Sequence, residues 1–394
     1  MSEQLAYALI TPYSLLKSRT GGIIARMMAR SEAELVAARM YIFSDAFLDA
    51  YREAICPPDT DPTIRQAWLE YVDESLRKDN PWGYLPRCVL LLFRGENAVR
   101  HLKDDIIGGF TEQPVGDTVR GTYGDFIRDG SGRIHYFEPA VITCPDPELN
   151  DRHLRLLADY AIGDGGVLTG RCKYPSGNVQ VSLVLLKPDN FGRRSRRPGN
   201  IIDAFSLTGL RIVGAKLFNM TVAQGEEFYG PLKEIFVKRL RPQIAEEVNK
   251  HLGEAFDFPF TDADAAAVAD MLAERNATCE FDKIVAYMTG ADPSSISDPA
   301  GKAAAGTTKC LALLYEGPEA IAKVRTVLGS TDPLKAEPGT VRSDFGRDLM
   351  RNGAHASDSP DSALRERRIV GLAETEADTC DVQQIIEAYL AGRK

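Results

Sequence analysis

The sequence predicts an α/β layered architecture that is built twice along one chain. The 394 residues are enough for two or three domains, at roughly 150 residues each. The chain also contains one long internal repeat. Within each copy, short apolar runs typical of buried strands alternate with segments of helical spacing. We therefore predict two α/β domains of one kind in tandem.

The repeat is clearest in two pairs of segments that share their internal spacing. Gly95 and Gly317 lie 222 positions apart, and so do Arg120 and Arg342. The paired segments are CVLLLFRGENAVRHLKDDIIG (88–108) with CLALLYEGPEAIAKVRTVLG (310–329), and DTVRGTYGDF (117–126) with GTVRSDFGRDL (339–349).

The upstream landmark gives the boundaries of the two copies. Pro12 pairs with Pro188 at an offset of only 176, so the second copy carries about 46 more residues between the landmarks. We predict a first repeat over residues 1–165 and a second repeat over residues 178–394. The extra residues predict an insertion at about 241–306 in the second repeat.

The elements of the second repeat follow in order from its apolar pattern. VSLVLL is a continuous apolar run before Lys-Pro-Asp, as expected of a strand that is buried on both faces. The next segment, IIDAFSLTG, has helical spacing and ends in Gly209. The predicted insertion contains one segment of helical spacing and one loop-like segment. The predicted elements are strands at 181–186 and 211–221, helices at 201–209 and 265–276, helical spacing after the proline of the segment 226–240, and a loop at 294–309.

Composition excludes several classes of protein. A net charge of −9 disfavours non-specific nucleic-acid binding, which requires Lys and Arg to neutralise phosphates. The apolar runs are far shorter than the ~20 residues of a membrane span, and the N-terminus lacks a basic region before its apolar residues. Seven cysteines without CxxC spacing favour reduced thiols over disulfides or a zinc site. We expect a cytoplasmic protein that binds neither membrane nor nucleic acid.

A polar segment near the C-terminus concentrates residues that suit phosphate chemistry. His355 stands in N-x-x-H-x-S-D-S, and Ser359 with Pro360 begins a helix that carries Glu366. A neutral histidine is nucleophilic near pH 7, and a carboxylate on its second ring nitrogen fixes its orientation. Arginines such as Arg342 hold phosphates through charge-assisted hydrogen bonds. From chemistry alone, a simple exposed histidine is the alternative interpretation.

Four segments of the second repeat together resemble the nucleoside diphosphate kinase family. The family signature N-x-x-H-[G/A]-S-D-S is present from Asn352 to Ser359. The other matching segments, in chain order, are LKPD (186–189), GSTDP (329–333) and PGTVRSDF (338–345).

The resemblance implies a ferredoxin-like α/β sandwich that transfers a γ-phosphate between ATP and nucleoside diphosphates by a ping-pong route. It implies that His355 is phosphorylated, that Glu366 orients it, and that Ser357 belongs to the catalytic group. It further implies that Mg²⁺ bridges the phosphates and is held mainly by the nucleotide. The residues implied to hold the phosphates are Arg325, Thr331 and Arg342, and those implied to bind the ribose hydroxyls and a nearby phosphate oxygen are Lys187 and Asn352.

Two aromatic residues are carried over less directly. Tyr229, in EEFYGPLKE, matches the family's tyrosine near the site. Phe236 is the candidate ring for the base, although the spacing is off by one and Val237 is an alternative. A plain core contact for Phe236 stays open.

Departures from the family pattern concern three places. Ala356 follows the histidine where most members have glycine, and the insertion at 241–306 has no counterpart in the pattern. The run GRRSRRPGN (192–200) adds arginines after LKPD. A solvated loop is favoured for this run over a phosphate or partner contact.

The first repeat lacks the same residues. Thr11 replaces Lys187, Tyr13 replaces the acid of KPD, and no N-x-x-H-x-S-D-S follows Arg120. We predict that DGSG (129–132) is a turn between two strands and that His135 lies on the second strand. The first repeat is then a degenerate copy retained for packing, so that the two copies form a pseudo-dimer within a homo-oligomer.

Three functions remain open at this point. The first is an active nucleoside diphosphate kinase with one working site per chain. The second is a non-catalytic nucleotide-binding or regulatory protein, and the third is a phosphohistidine relay that acts on a protein. Retention of His355 and Glu366 favours the first over the second, because a pure binding protein has no need of the nucleophile.

Overall fold

The computed structural model describes residues 3–109, 116–175, 177–252, 254–255, 258, 260–373 and 381–393. The chain divides into two compact units, which we call the sheet unit (residues 1–218 and 311–394) and the helical unit (residues 219–310). Among the described residues, no helix is both long and apolar enough to cross a membrane. The cysteines in the described part carry free thiols, and Cys380 lies outside it.

The first half of the sheet unit contains a four-stranded antiparallel sheet and a separate hairpin. Its strands are β1 (Glu3–Ile10), β2 (Glu34–Tyr41), β3 (Cys88–Glu96), β4 (Asp125–Arg128), β5 (Ile134–Glu138) and β6 (Val141–Thr143). Its helices are α1 (Pro12–Leu16), α2 (Thr20–Arg30), α3 (Asp45–Arg52), α4 (Pro62–Tyr71), α5 (Ala98–Arg100), α6 (Val119–Tyr123), α7 (Asn150–Asp159) and α8 (Ala161–Asp164). Helices α4 and α5 continue as π-helical turns over Val72–Leu76 and His101–Ile107. The sheet order is β2-β3-β1-β6, and β4 pairs with β5.

The rest of the chain contributes a second four-stranded sheet and most of the long helices. Its strands are β7 (Val179–Leu186), β8 (Arg211–Asn219), β9 (Lys309–Pro318) and β10 (Ala354–Ala356), in the order β10-β7-β9-β8. Its helices are α9 (Arg197–Ser206), α10 (Val222–Tyr229), α11 (Leu232–Leu252), α12 (Asp262–Thr289), α13 (Pro299–Ala303), α14 (Ala320–Leu328), α15 (Val341–Phe345), α16 (Pro360–Ile369) and α17 (Asp381–Ala391). Short 3₁₀ turns cover Pro188–Asn190, Pro293–Ser295 and Pro333–Lys335.

The predicted α/β layering is confirmed. The predicted loop at 294–309 is wrong in part, because Asp298 caps the short helix α13 within it. The apolar run at 181–186 lies in β7, with its last five residues buried, and RIVGAKLFN forms β8. The hairpin β4-β5 encloses DGSG as predicted. Helix α12 is longer than the predicted 265–276, because Thr261 caps its first turn and Gly290, at φ 73°, ends it.

The two sheets share strand order and register. Gln4 of β1 faces Gly95 of β3, and Gln180 of β7 faces Gly317 of β9. In each sheet a three-residue edge strand pairs with the end of the first strand: β6 with β1, and β10 with β7. The second residue of each edge strand is therefore in an equivalent position.

Helices α2 and α9 pack closely through glycines. A Cβ added at Gly199 would lie 2.1 Å from the backbone nitrogen of Ala25, and one added at Gly21 would lie 2.4 Å from that of Asp203. Real Cβ atoms do not approach backbone so closely, so only glycine allows this spacing. The contact is reciprocal, since each helix supplies one glycine to its neighbour.

The helical unit is built on the antiparallel pair α11 and α12. One face of α12 is buried, and the alanines on it recur every four residues, which is the spacing of one side of a helix. The buried residues of that face are Ala265, Ala269, Ala273, Ala277, Phe281, Val285 and Met288. On the exposed side, Arg241 of α11 forms an ion pair with Asp270 of α12.

Candidate active site

His355 lies at the centre of the short edge strand β10. Its neighbours Ala354 and Ala356 are buried, and His355 faces the opposite side of the sheet, because side chains alternate along a strand. The histidine side chain is 24% exposed, so it is held by the fold and still open to solvent. Ala356 pairs with Val184 in regular extended backbone, where a residue other than glycine fits without strain.

Glu366 reaches back from α16 to the histidine, as its place on the helix suggested. Its Oε2 lies 3.0 Å from Nε2 of His355, and the same oxygen accepts a 2.7 Å hydrogen bond from Ser357 Oγ. Oε1 lies 3.6 Å from the Arg365 guanidinium. Ser359 caps α16 by accepting a hydrogen bond from the backbone N–H of Ser362, and this fixes the start of the helix. The carboxylate is thus buried and oriented toward one ring nitrogen of His355.

Lys187 and Asn352 meet beside the histidine strand. Lys187 Nζ donates to Asn352 Oδ1 at 2.7 Å and to the Met350 carbonyl at 2.9 Å. Asn352 Nδ2 donates to the carbonyl oxygens of Thr331 and Leu349. The two predicted residues therefore connect the end of β7 to the loop that precedes β10.

Arg342 joins three further parts of the site. Its Nη1 donates to Thr331 Oγ1 at 3.2 Å and to the Gly329 carbonyl at 3.1 Å, and its Nη2 donates to the Ala354 carbonyl at 3.4 Å. Thr331 is exposed. The guanidinium therefore lies next to the backbone of the histidine strand with an exposed hydroxyl at its side.

Arg325 is exposed near the C-terminus of α14, and its charge acts on Asp358. The pKa of Asp358 is lowered, first by a hydrogen bond from Ser362 and further by one from Ser359 and by the charge of Arg325, against the opposing effect of partial burial. Three cationic side chains thus lie around the loop and the strand that carry His355, and they belong to Lys187, Arg325 and Arg342. Such a cluster favours a polyanionic ligand.

Tyr229 and Phe236, the two remaining predicted residues, belong to the helical unit. Tyr229 ends α10 and is buried. Phe236 lies on α11 and is buried, with the Arg239 guanidinium 4.9 Å from its ring centroid.

The arginine-rich run after β7 is only partly the solvated loop that was expected. Arg197 Nη2 donates to the Phe345 carbonyl at 2.6 Å and pairs with Asp189 at 2.5 Å. Arg193 is exposed, and Arg194 lies 3.7 Å from Glu32. Arg197 therefore holds the turn after β7 against α15.

Asn190 is a positioning residue that sequence reasoning missed. It is buried, and its Nδ2 donates to the carbonyl oxygens of Lys187 and Gly353. These contacts tie the turn after β7 to the residue before β10. The sequence offers one signal for Asn190, which is an amide side chain directly after the KPD segment. Such a residue indicates a turn, but it does not show that Gly353 is the distant hydrogen-bond partner.

The described part of the chain contains no group of three or more His, Cys, Asp or Glu side chains placed to hold a metal ion.

The first repeat has different residues at the equivalent positions. Ile142 occupies the place of His355 at the centre of the edge strand. Thr11, at the place of Lys187, donates to Glu138 Oε1 at 2.9 Å. Arg120 retains the contacts of Arg342, because its guanidinium donates to the carbonyl oxygens of Gly108 and Val141. His135 is exposed on β5, away from the edge strand.

Comparisons with known proteins agree on one family. The family model described as nucleoside diphosphate kinase matches residues 243–374, a range that begins inside the predicted insertion. The nucleoside diphosphate kinase of Methanobrevibacter smithii is 33% identical over 206 residues, which cover 52% of this chain and 93% of that protein. The nucleoside diphosphate kinase of Haloarcula marismortui is 30% identical over 209 residues, covering 53% of this chain and 95% of that protein.

A solved NDP kinase structure from Pyrobaculum aerophilum is 27% identical, with a TM-score of 0.32, and the match covers 49% of this chain and 95% of that one. The two archaeal relatives are matched over more than nine-tenths of their own length at 30% identity or above. The chain therefore belongs to the nucleoside diphosphate kinase family.

Proposed function

We propose that this chain is a nucleoside diphosphate kinase that carries the transferred phosphoryl group on His355. Family membership supports the phosphotransferase activity. The observation that carries the assignment to this histidine is the group Ser357, Glu366 and His355, in which a buried carboxylate lies 3.0 Å from Nε2. A carboxylate at this distance favours a proton on Nε2 and leaves Nδ1 as the nucleophile.

The chemistry proceeds in two balanced steps. His355 Nδ1 attacks the γ-phosphorus of a nucleoside triphosphate, the N–P bond forms, and the bond to the bridging oxygen breaks to release a nucleoside diphosphate. A terminal phosphate oxygen of a second nucleoside diphosphate then attacks the phosphorus of the phosphohistidine, the O–P bond forms, and the N–P bond breaks to regenerate neutral His355 and release a nucleoside triphosphate. Glu366 holds the proton on Nε2 and stabilises the positive charge that develops on the ring.

The cationic side chains would bind the phosphates during both steps. Arg342 and Arg325 supply charge-assisted hydrogen bonds, and Thr331 adds a hydroxyl beside Arg342. Lys187 and Asn352 would meet the ribose hydroxyls and a phosphate oxygen. Mg²⁺, bound to the nucleotide phosphates, would neutralise part of their charge.

In the helical unit, Tyr229 and Phe236 are proposed as the residues nearest the nucleoside. Tyr229 is the counterpart of the family's tyrosine, and Phe236 supplies an apolar ring for the base. Both side chains are buried within their own unit, which supports a core contact for Phe236 equally well.

We also propose that the chain is a tandem fusion of two ferredoxin-like domains, residues 1–165 and 178–394, with a degenerate first copy and an insertion at about 241–306. The equal strand orders and registers of the two sheets support this proposal. The reciprocal glycine contact of α2 with α9 supports a pseudo-two-fold pairing of the copies, within a homo-oligomer. The odd number of cysteines and their spacing favour reduced thiols, which supports a cytoplasmic location.

Labelling with γ-³²P-ATP and Mg²⁺ tests the function. The wild-type chain should acquire an acid-labile, base-stable label, and adding GDP should discharge the label to GTP. His355→Ala should remain unlabelled, whereas the control His135→Ala should label normally, because His135 is exposed on a different strand. Full transfer by His355→Ala would contradict the assignment.

The same experiment separates the alternatives. A chain that labels but passes the phosphate to a protein and not to GDP would be a phosphohistidine relay. A chain that binds nucleotide without labelling would be a binding or regulatory protein. Calorimetry should give one strong nucleotide site per chain, and two equal sites would contradict the degenerate first repeat.

A further inference from the structure

The first repeat contains a cavity of about 480 Å³ that the proposed kinase reaction does not use. This volume lies within the range of small-molecule sites. Its lining comes from the region after β1, from α4 and the π-helical turn that continues it, from the loop before β3, and from β5. The aromatic residues among the lining are Tyr13, Tyr71, Trp82, Tyr84, Tyr136 and Phe137.

The ionisable lining of this cavity is acidic. Glu70, Glu74 and Glu138 contribute carboxyl groups, and no Lys or Arg is among its lining residues. Glu138 is buried and bound to Thr11, whereas Glu70 and Glu74 are exposed and face solvent. His135 also lines the cavity. Three carboxyl groups without a lysine or arginine disfavour a phosphate group.

Two cations of the chain itself lie near the Tyr13 ring. Lys17 Nζ and the Arg19 guanidinium carbon are each 5.5 Å from the ring centroid of Tyr13. Neither residue lines the cavity. The Tyr13 ring therefore already has two cations of the chain near it, as expected of an aromatic ring that attracts positive charge.

We infer that this cavity binds a small organic cation whose charged nitrogen carries alkyl groups. Aromatic faces attract cations through the negative potential above the ring, and alkylated nitrogen loses little hydration when it enters an apolar pocket. The carboxylates at the rim add Coulomb attraction and guide the cation inward. Trp82, with 62% of its surface exposed beside these carboxylates, is the ring best placed to cover the ligand.

The contrast with the second repeat strengthens the inference. The end of β7 presents Lys187, a cation suited to nucleotide oxygens, whereas the end of β1 presents Thr11 bound to an acid of the cavity. The exchange replaces a buried cation with a neutral hydroxyl that is bound to a carboxyl group. The first repeat therefore lacks, at this place, the cation that suits nucleotide oxygens, and this holds independently of whether the second repeat is a kinase.

A pair of isosteric probes tests the charge requirement directly. Choline and its neutral carbon analogue, 3,3-dimethylbutan-1-ol, differ in one atom of the head group and its charge. We expect choline to bind with a Kd of about 1 mM or tighter and roughly tenfold tighter than the neutral analogue. Phosphocholine, which adds a phosphate, should bind more weakly than choline. Calorimetry on the full chain without nucleotide measures all three.

Variants then locate the site. Trp82→Ala should weaken choline binding roughly tenfold, and Glu70→Gln with Glu74→Gln should weaken it roughly fivefold. Glu148→Gln is the matched control, because Glu148 is an exposed acid of the same repeat outside the cavity. All these positions are exposed, so thermal unfolding and phosphate transfer should stay at wild-type values.

Three results would overturn the inference. Equal affinity for choline and 3,3-dimethylbutan-1-ol would show that charge plays no part. Unchanged choline affinity in the Trp82 and Glu70/Glu74 variants would place binding elsewhere. Adenosine binding tighter than choline, lost in Trp82→Ala, would make the cavity a nucleoside site. Failure of the kinase assay would leave these titrations unaffected, since they contain no nucleotide.

Discussion

The two four-stranded sheets share their strand order and register but carry different residues at the end of the first strand. In the second repeat, Lys187 at the end of the first strand contacts Asn352, two residues before the edge strand, at 2.7 Å. In the first repeat, Thr11 at the equivalent place contacts Glu138, shortly before its edge strand, at 2.9 Å. The contact between the same two parts of the fold is kept, although an ammonium–amide contact in one sheet is a hydroxyl–carboxyl contact in the other.

Arg342 and Arg120 differ from this pair, because both the residue type and its two hydrogen bonds to backbone carbonyls are the same in the two sheets. Arg342 donates to the carbonyl oxygens of Gly329 and Ala354, and Arg120 donates to those of Gly108 and Val141. Arg120 does so in a repeat whose edge strand has no histidine. The comparison indicates that the arginine at this position has a structural role, because it joins a glycine turn to the edge strand. Any binding of phosphate by Arg342 would be a second role.

The histidine position gives the largest expected difference between the repeats. His355→Ala should lower phosphate transfer by at least ~10³-fold, because the nucleophile is removed. The reverse exchange, Ile142→His, should not create a second labelled site, since the first repeat has Thr11 and not a lysine beside that strand. Counting ³²P per chain in both variants measures the difference. A labelled Ile142→His chain would show that the strand position alone is sufficient.

The contact between the repeats should be sensitive to one methyl group. Gly199→Ala should lower the free energy of unfolding by about 3 kcal/mol, because the new Cβ would meet backbone of α2 that cannot move aside locally. Gly192→Ala is the control, since nothing lies within 4 Å of a Cβ there, and it should change stability by less than about 0.5 kcal/mol. Urea unfolding checks both. Equal stabilities would mean that α2 and α9 do not pack this closely in solution.

Substitutions of Arg342 and Arg120 can distinguish a structural role of this arginine from a role in phosphate transfer. Arg342→Ala and Arg120→Ala should both lower stability, because each loses a guanidinium that joins a glycine turn to an edge strand. Only Arg342→Ala should also lower kcat/KM, by roughly 10- to 100-fold, the cost of about 1.5–3 kcal/mol for a lost charge-assisted phosphate contact. Steady-state transfer assays below the unfolding temperature measure this. Equal loss of kcat/KM in the two variants would assign Arg342 a structural role alone.

Local pattern was sufficient for the long strands and helices and for the order of the site residues. The apolar run of β7 and the helical spacing of α11 and α12 depend on neighbouring residues, so they can be read from the sequence. The proximity of Glu366 to His355 could also be anticipated, since a capped helix follows the histidine loop directly.

Features that depend on distant partners could not be predicted. The edge strands β6 and β10 have three residues each, too few to show a period of two. The bond of Thr11 to Glu138 joins residues 127 positions apart, and the aromatic cavity exists only when β5 packs near α4. The buried amide of Asn190 likewise has its partner, Gly353, 163 residues away.

The smallest predicted effect concerns Glu138, which binds Thr11 at the place where Lys187 binds Asn352 in the second repeat. Burial raises the pKa of Glu138 to about 7, although hydrogen bonds from Thr11, Ala140 and Tyr71 and the charge of Arg19 oppose the rise. Between the unfolded value near 4.5 and about 7, the folded chain binds more protons than the unfolded chain. The stability contributed by this group is therefore complete below about 4.5 and is lost as the pH rises through 7.

Glu138→Gln removes this titration while keeping an oxygen for Thr11 and Ala140 and supplying an amide for Tyr71. Relative to wild type, the variant should gain stability on going from pH 5 to pH 8, by on the order of 2 kcal/mol. The depressed pKa of the buried His153, about 4, changes stability equally in both chains and cancels in the difference. Urea unfolding at the two pH values measures it, with the exposed Glu148→Gln as a control that should show no such change. The same stability difference between Glu138→Gln and wild type at both pH values would mean that the Glu138 carboxyl is solvated, and that the first repeat has not exchanged a buried cation contact for a buried acid.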